Sequence, residues 1–212
     1  MNKPKEIIYN DNIMNKETLL KKRLILASQS PRRRELIQKL GLPFEAEVSD
    51  VDETIPEGMD AVQVPEYLSG LKTKAVYDLH KGEDVLVVGS DTVVILGDVI
   101  FGKPKDEEDA FGMLKALSGN WHKVATGVTV LSGIPESGEI KQSAFTYVSD
   151  VKFFELSDDE IREYIASGEP MDKAGSYGIQ QGGALIVERI NGDFYSVMGL
   201  PIASLAQTIK KM

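Results

Sequence analysis

Apolar positions along this chain fall into short blocks separated by Gly, Pro and acidic breaks. Residues 24–27 form a continuous apolar block, as in a strand buried on both faces. Ser30 then offers an N-cap and Pro31 a first helical residue, with Gly41 beyond the end, so a helix is expected from 31 to about 40. Residues 64–80 predict a second helix, although Pro65 must sit in its first turn and Gly70 weakens it. Residues 85–88 predict a central buried strand that Gly89 ends. The blocks 92–96 and 99–101 flank Gly97-Asp98, a hairpin signal. Asp106 opens a helix to Leu117, with Glu107 and Glu108 favourable near its N-terminus. Long strands are expected over 121–131 and 143–155. Ser157 and Glu160 form a capping box before a helix to Ser167. Residues 184–190 and 194–197 flank Asn191-Gly192 and predict a second hairpin, and a last helix starts near Pro201. Helices and strands alternate early and strands dominate late. The expected fold class is therefore α/β, a mixed twisted sheet with flanking helices.

Composition narrows the function classes. The chain has 212 residues, 42% hydrophobic and 27% charged, which suits one folded domain or two closely packed lobes. Its longest apolar runs are far short of a membrane span, so no membrane association and a cytoplasmic location are expected. The absence of Cys excludes disulfides, thiolate metal sites and thiolate nucleophiles. His80 and His122 are the only histidines, too few for a multi-histidine metal site. The net charge of −9 argues against stable nucleic-acid binding, which needs a cationic surface. Residues 1–22 read as an N-terminal extension, a tail or a short helix, ahead of a single domain over 23–212. Residues 45–60 hold seven acids and no Lys or Arg, a pattern that also suits a solvated loop.

Three loops carry the candidate chemistry. Ser28, Ser30, Arg32, Arg33 and Arg34 stand where a strand hands over to a helix. Cations in a first turn oppose the helix dipole; hydroxyls, backbone N–H groups and Arg forks there suit an anion such as phosphate, though Arg side chains in that place can also reach nearby carboxylates or point into water. Helical spacing cannot aim all three Arg at one point, which leaves Arg34 on the surface. Asp91 and Thr92 follow the central strand, where ligands bind in open α/β sheets, though an Asp there can also cap a turn. With the acids at 50–53, Asp91 makes a candidate carboxylate pair for a hard divalent cation. Lys103, held before Pro104, and the stretch 171–180 with Lys173 and Gln180 form the third group. Gln180 offers both a donor and an acceptor to a nucleobase edge. His122, beside Trp121 in an apolar strand, reads as packed interior rather than as a base.

The ordered strings Leu26-Ala27-Ser28-Gln29-Ser30-Pro31-Arg32-Arg33, Gly89-Ser90-Asp91-Thr92, Gly102-Lys103-Pro104 and Asp172-Lys173-Ala174-Gly175-Ser176-Tyr177-Gly178-Ile179-Gln180 resemble the Maf family of nucleotide pyrophosphatases. The resemblance spans about residues 23–210. It implies two lobes around a cleft, a fold similar to the inosine-triphosphatase group, a possible homodimer, and Mg²⁺ or Mn²⁺ as cofactor. The implied reaction hydrolyses nucleoside triphosphates to monophosphate and pyrophosphate, a housecleaning role. By position, Asp91 matches the family's general base. Arg33, Thr92 and Gln180 match positions that mark its dTTP/UTP-selective branch, and Lys74, Lys103 and Glu53 match other cleft residues. The expected assignment is Asp91, Lys74 and Lys103 for catalysis, with Glu53 and Asp91 on the metal. Ser28, Ser30, Arg32, Arg33, Thr92, Lys173 and Gln180 are expected to bind substrate. A broader triphosphatase for non-standard bases, or a nucleotide-binding regulator of cell division, remain as alternatives.

Overall fold

A computed structural model describes residues 22–48, 50–134 and 138–212. The extension expected over 1–22 lies, apart from Lys22, outside the described residues. Seven strands form one sheet: β1 (Arg23–Ala27), β2 (Phe44–Glu47), β3 (Val85–Leu96), β4 (Val99–Phe101), β5 (Trp121–Ile134), β6 (Glu139–Phe153) and β7 (Val187–Asn191). Their order is β2-β1-β3-β5-β6-β7, with β4 also on β3. The β1–β2 and β1–β3 pairs are parallel and the others antiparallel, so the mixed sheet expected from the sequence is present.

Helix α1 (Pro31–Gln38) follows β1, and α2 (Val64–Leu79) precedes β3. Helices α3 (Glu107–Leu117), α4 (Asp158–Ala166), α5 (Phe194–Met198) and α6 (Ile202–Lys211) follow in order. Alternation along the strands sends Leu86, Val88 and Val94 of β3 into a large core with α1, α3, α4, α5 and α6. Their neighbours Val85 and Val87, then Val93 and Ile95, pack instead with α2 in two smaller cores. The sheet is thus covered on both faces, and α2 alone among the described helices lies on its side.

The approach of α2 to the sheet is close. Its inner stripe presents Ser69 and Thr73, and the strands beneath present Gly89 and Gly127. A Cβ on Gly127 would lie 2.1 Å from the Glu66 backbone nitrogen, and one on Gly89 would lie 2.0 Å from the Thr73 hydroxyl. The Ser69 and Thr129 hydroxyls share a hydrogen bond of 2.8 Å across this interface.

Two expectations change here. Gly89 does not end a strand, because β3 runs unbroken from Val85 to Leu96. The glycine serves the helix overhead rather than a turn. Residues 194–198 form a helix, not the second arm of a hairpin: the Asp193 carboxylate accepts the backbone N–H groups of Tyr195 and Ser196, at 3.3 and 2.8 Å, and caps it. The strand β2, within the acidic stretch, had no counterpart among the predicted elements.

Candidate active site

The pairing of β3 explains where a cleft can form. One edge of β3 is covered by β5 from Leu86 to Ile95. The other carries β1 as far as Val88 and β4 from Val94 onward. Residues 89–93 therefore have no strand beside them on that edge, and there a cleft of about 1090 Å³ opens. Consecutive residues of a strand point to opposite faces, so Asp91 looks toward α2 and Thr92 toward α1 and α5. A single gap exposes both to one cleft. Asp91 does lie just beyond the end of a parallel strand pair, as the sequence suggested, but within a strand and not in a loop.

On the α2 side, the Lys72 ammonium is 2.6 Å from the Asp91 carboxylate and 2.9 Å from Glu53. The Asp91 and Lys72 side chains are only 14% and 19% exposed, so this contact is far better shielded than an ordinary surface pair. The carboxylates of Glu53 and Asp91 thus converge on one point of positive charge. Among the described residues no group of three or more His, Asp or Glu could enclose a metal. Two carboxylates do fit a hard divalent ion that keeps its waters and takes its remaining ligands from phosphate oxygens.

On the α1 side, Ser30 caps the helix by accepting the Arg33 backbone N–H at 3.5 Å. The Arg33 guanidinium donates to the Gly199 carbonyl at 3.0 Å, the Ser28 hydroxyl at 3.3 Å and the Thr92 hydroxyl at 3.2 Å. Thr126 donates its only hydroxyl hydrogen to the Ser196 carbonyl, so it accepts from Thr92 across 2.9 Å. Thr92 in turn accepts from Arg33. This one-way chain ties α1, β3, β5 and α5 together. Burial presses the Arg33 pKa down and the Asp91 charge opposes it; the group stays charged, with donors left over for a ligand.

Arg32 reaches the opposite wall, where it donates to Asp172 at 3.1 Å. Lys173 turns to Asp172 at 2.7 Å and to the Glu169 carbonyl. Lys103 stands exposed on the rim, and Gln180 lines the wall near Tyr177. Ser28, Ser30, Arg32, Arg33, Glu53, Asp91, Thr92, Lys103, Lys173 and Gln180 all line the cleft together.

Lys74 does not. Its ammonium pairs with Asp78 one turn along α2, and its side chain is 56% exposed. The lysine that faces the cleft is Lys72. Helical spacing could have found it: Pro65, Leu68 and Lys72 fall at i, i+3 and i+7 on one stripe, to which Lys74 does not belong.

Five cations therefore line the cleft of an acidic chain, among the described residues, and Asp91 sits half-shielded between them. The family model described as Maf-like protein matches residues 23–212. The chain belongs to the Maf family. It is similar to the dTTP/UTP pyrophosphatase of Aquifex aeolicus, at 46% identity over 190 residues, 90% of this chain and 95% of that one. Similarity to the dTTP/UTP pyrophosphatase of a Geobacillus species is 47% over 191 residues, 90% of this chain and 98% of that one. Among solved structures, the Staphylococcus aureus Ham1 protein is similar at 14% identity and a TM-score of 0.49, covering 90% of this chain and 99% of that one. No described helix of this Maf protein is long and apolar enough to cross a membrane.

Proposed function

We propose that this chain hydrolyses nucleoside triphosphates between the α- and β-phosphates, with dTTP and UTP as preferred substrates, in a housecleaning role. The observation that carries the reading is the shielded Asp91 carboxylate, held by Lys72 at the edge gap of β3, in a cleft that also brings together Arg32, Arg33, Lys103 and Lys173 with the carboxylates of Glu53 and Asp172. Pure nucleotide binding needs the cations; a shielded carboxylate among them repels phosphate and has its use in chemistry. Likeness to relatives named dTTP/UTP pyrophosphatases supports the base preference. A Mg²⁺ or Mn²⁺ requirement, a cytoplasmic setting and a homodimer belong to the same proposal.

Arg32, Arg33 and the Ser28 and Ser30 hydroxyls grip the triphosphate at the start of α1, where the helix dipole favours an anion. Asp91 accepts the proton of the attacking water or fixes its direction. Lys72 holds Asp91 in place, and with Lys103 it stabilises the charge that builds on departing pyrophosphate. A divalent ion held by Glu53 and Asp91 would polarise the phosphorus and neutralise its oxygens. Gln180 and Thr92 face the base and sugar end.

Replacing Lys72 by Met should lower kcat on dTTP by about 10²-fold, the usual cost of one preorganised charge donor. Lys74→Ala should stay within about two-fold, since it removes only an exposed pair. Equal effects of the two substitutions would contradict this placement of α2. Product analysis on dTTP tests the function itself: equal amounts of monophosphate and pyrophosphate are expected, and release of inorganic phosphate would sink it.

A further inference from the structure

The wall that carries Lys173 and Gln180 turns through two successive left-handed residues. Gly175 has φ +67°, and Ser176, at φ +59°, is the only non-glycine with positive φ among the described residues. Such a serine persists only where its surroundings over-determine it, and such places gather at functional sites. Here the surroundings are traceable residue by residue. The Gly175 N–H donates to the Gly102 carbonyl at 3.0 Å, which links this turn to the segment bearing Lys103. The Ser176 hydroxyl contacts the Met113 sulfur of α3 at 3.1 Å. The Gly178 N–H donates to the Tyr164 hydroxyl of α4 at 3.2 Å.

The remaining anchor is of a different kind. Tyr177 is 5% exposed, and its hydroxyl lies 2.7 Å from Nε2 of His122 on β5, itself 3% exposed. With Phe153 the two rings form a closed edge-to-face trio, centroids 4.6 to 5.4 Å apart. An imidazole is a poor choice for simply filling this space. Burial pushes its pKa down to about 4, the Asn120 backbone only partly opposing, and Nδ1 makes no well-formed hydrogen bond. An aliphatic or phenyl side chain would avoid both penalties. What the imidazole supplies, and those cannot, is one directional bond to Tyr177, three residues before Gln180.

We infer that the buried His122–Tyr177 hydrogen bond is a positioning pair for the base-reading wall, setting where Gln180 and Lys173 stand and hence the discrimination of dTTP from triphosphates of other bases, cytosine included. Neither residue takes part in bond cleavage. Tyr177 is among the residues that line the cleft, whereas His122 is not. The inference rests on the pyrophosphatase reading above, and it deepens that reading by naming a determinant of selectivity that reaches substrate only through the loop.

The test uses full-length Tyr177→Phe, His122→Phe and His122→Gln proteins, with kcat and KM measured on dTTP and dCTP in Mg²⁺ and urea midpoints measured in parallel. Tyr177→Phe removes a single oxygen and carries the test even if His122→Phe does not fold. A displaced loop should raise KM for dTTP about ten-fold and cut the dTTP:dCTP ratio of kcat/KM at least about five-fold, with kcat within about three-fold. His122→Gln, which can still bond the tyrosine, should restore most of the ratio, and the double Phe variant should be no worse than the single ones. A merely structural pair would lower the urea midpoint and leave the ratio unchanged, and that result overturns the inference. Should the wild type prove inactive on every triphosphate, the pyrophosphatase reading fails separately. Calorimetric titration with dTTP and dCTP then decides: preference lost in Tyr177→Phe supports the pair, and preference retained, or never present, refutes it.

Discussion

Asp91→Asn should lower kcat on dTTP by about 10² to 10⁴, the range that a positioned base supplies, while nucleotide still binds. The asparagine amide is the same size and can still accept from Lys72, now 2.6 Å from the carboxylate, so the fold around β3 is undisturbed. What is lost is the capacity to take a proton and half of the carboxylate pair with Glu53. The expected result is therefore a split, with kcat falling and equilibrium binding of dTTP held or tightened. Tightening has a specific cause: with one negative charge gone, Lys72 is more available to the phosphates. Stopped-assay kinetics and calorimetric titration on the same preparations check both halves. A variant within ten-fold of wild-type kcat would remove Asp91 from the chemistry.

Gly127→Ala should be among the most damaging small substitutions in the scaffold. The added carbon would meet the backbone of Pro65 and Glu66 at 2.1 to 2.4 Å, and the start of a helix cannot yield as a side-chain tip can. Helix α2 must move outward or the strand must bend, a cost of about 2 to 3 kcal/mol or more. Because Gly127 faces Asp91 across the β3–β5 ladder, the same movement lifts Lys72 away from Asp91. Loss of stability and of turnover should therefore arrive together. Gly112→Ala on α3 is the control. Nothing lies within 4 Å of its new carbon, and a mid-helix alanine should add about 0.5 to 1 kcal/mol. Urea unfolding of both variants decides, and similar midpoints for the two would refute the close-packing account of α2.

Much of the scaffold is legible in the chain because local signals agree with tertiary demands. Ser30-Pro31, Asp106 and Ser157 each place a helix start correctly, since capping is decided within four residues. Legibility fails where one residue type answers two demands. Gly89 is read as a terminator, yet it is a strand glycine that lets Thr73 close over it. Asn191-Gly192 has the composition of a hairpin turn, but Asp193 immediately after it caps a helix. The choice of Lys74 over Lys72 has the same origin. Two lysines two residues apart on a helix point about 200° away from each other, and only the buried stripe says which faces the cleft. Most of the cleft was visible as clustered motif residues, because they fall in short contiguous stretches of sequence, at 28–33, 91–92 and 172–180. The His122–Tyr177 bond was not, since a lone histidine in an apolar strand gives no sign of what it faces across 55 positions of sequence.

The central claim is cleavage between the α- and β-phosphates with preference for thymine and uracil. Its most direct test is product analysis by purified full-length protein with Mg²⁺ or Mn²⁺ on dTTP, UTP, dCTP, dATP and dGTP, with Asp91→Asn as the blank. Monophosphate and pyrophosphate are expected in equal amounts, with dTTP and UTP favoured by about ten-fold or more in kcat/KM. Nucleotide binding without turnover, release of inorganic phosphate, or equal turnover of all five triphosphates would contradict it.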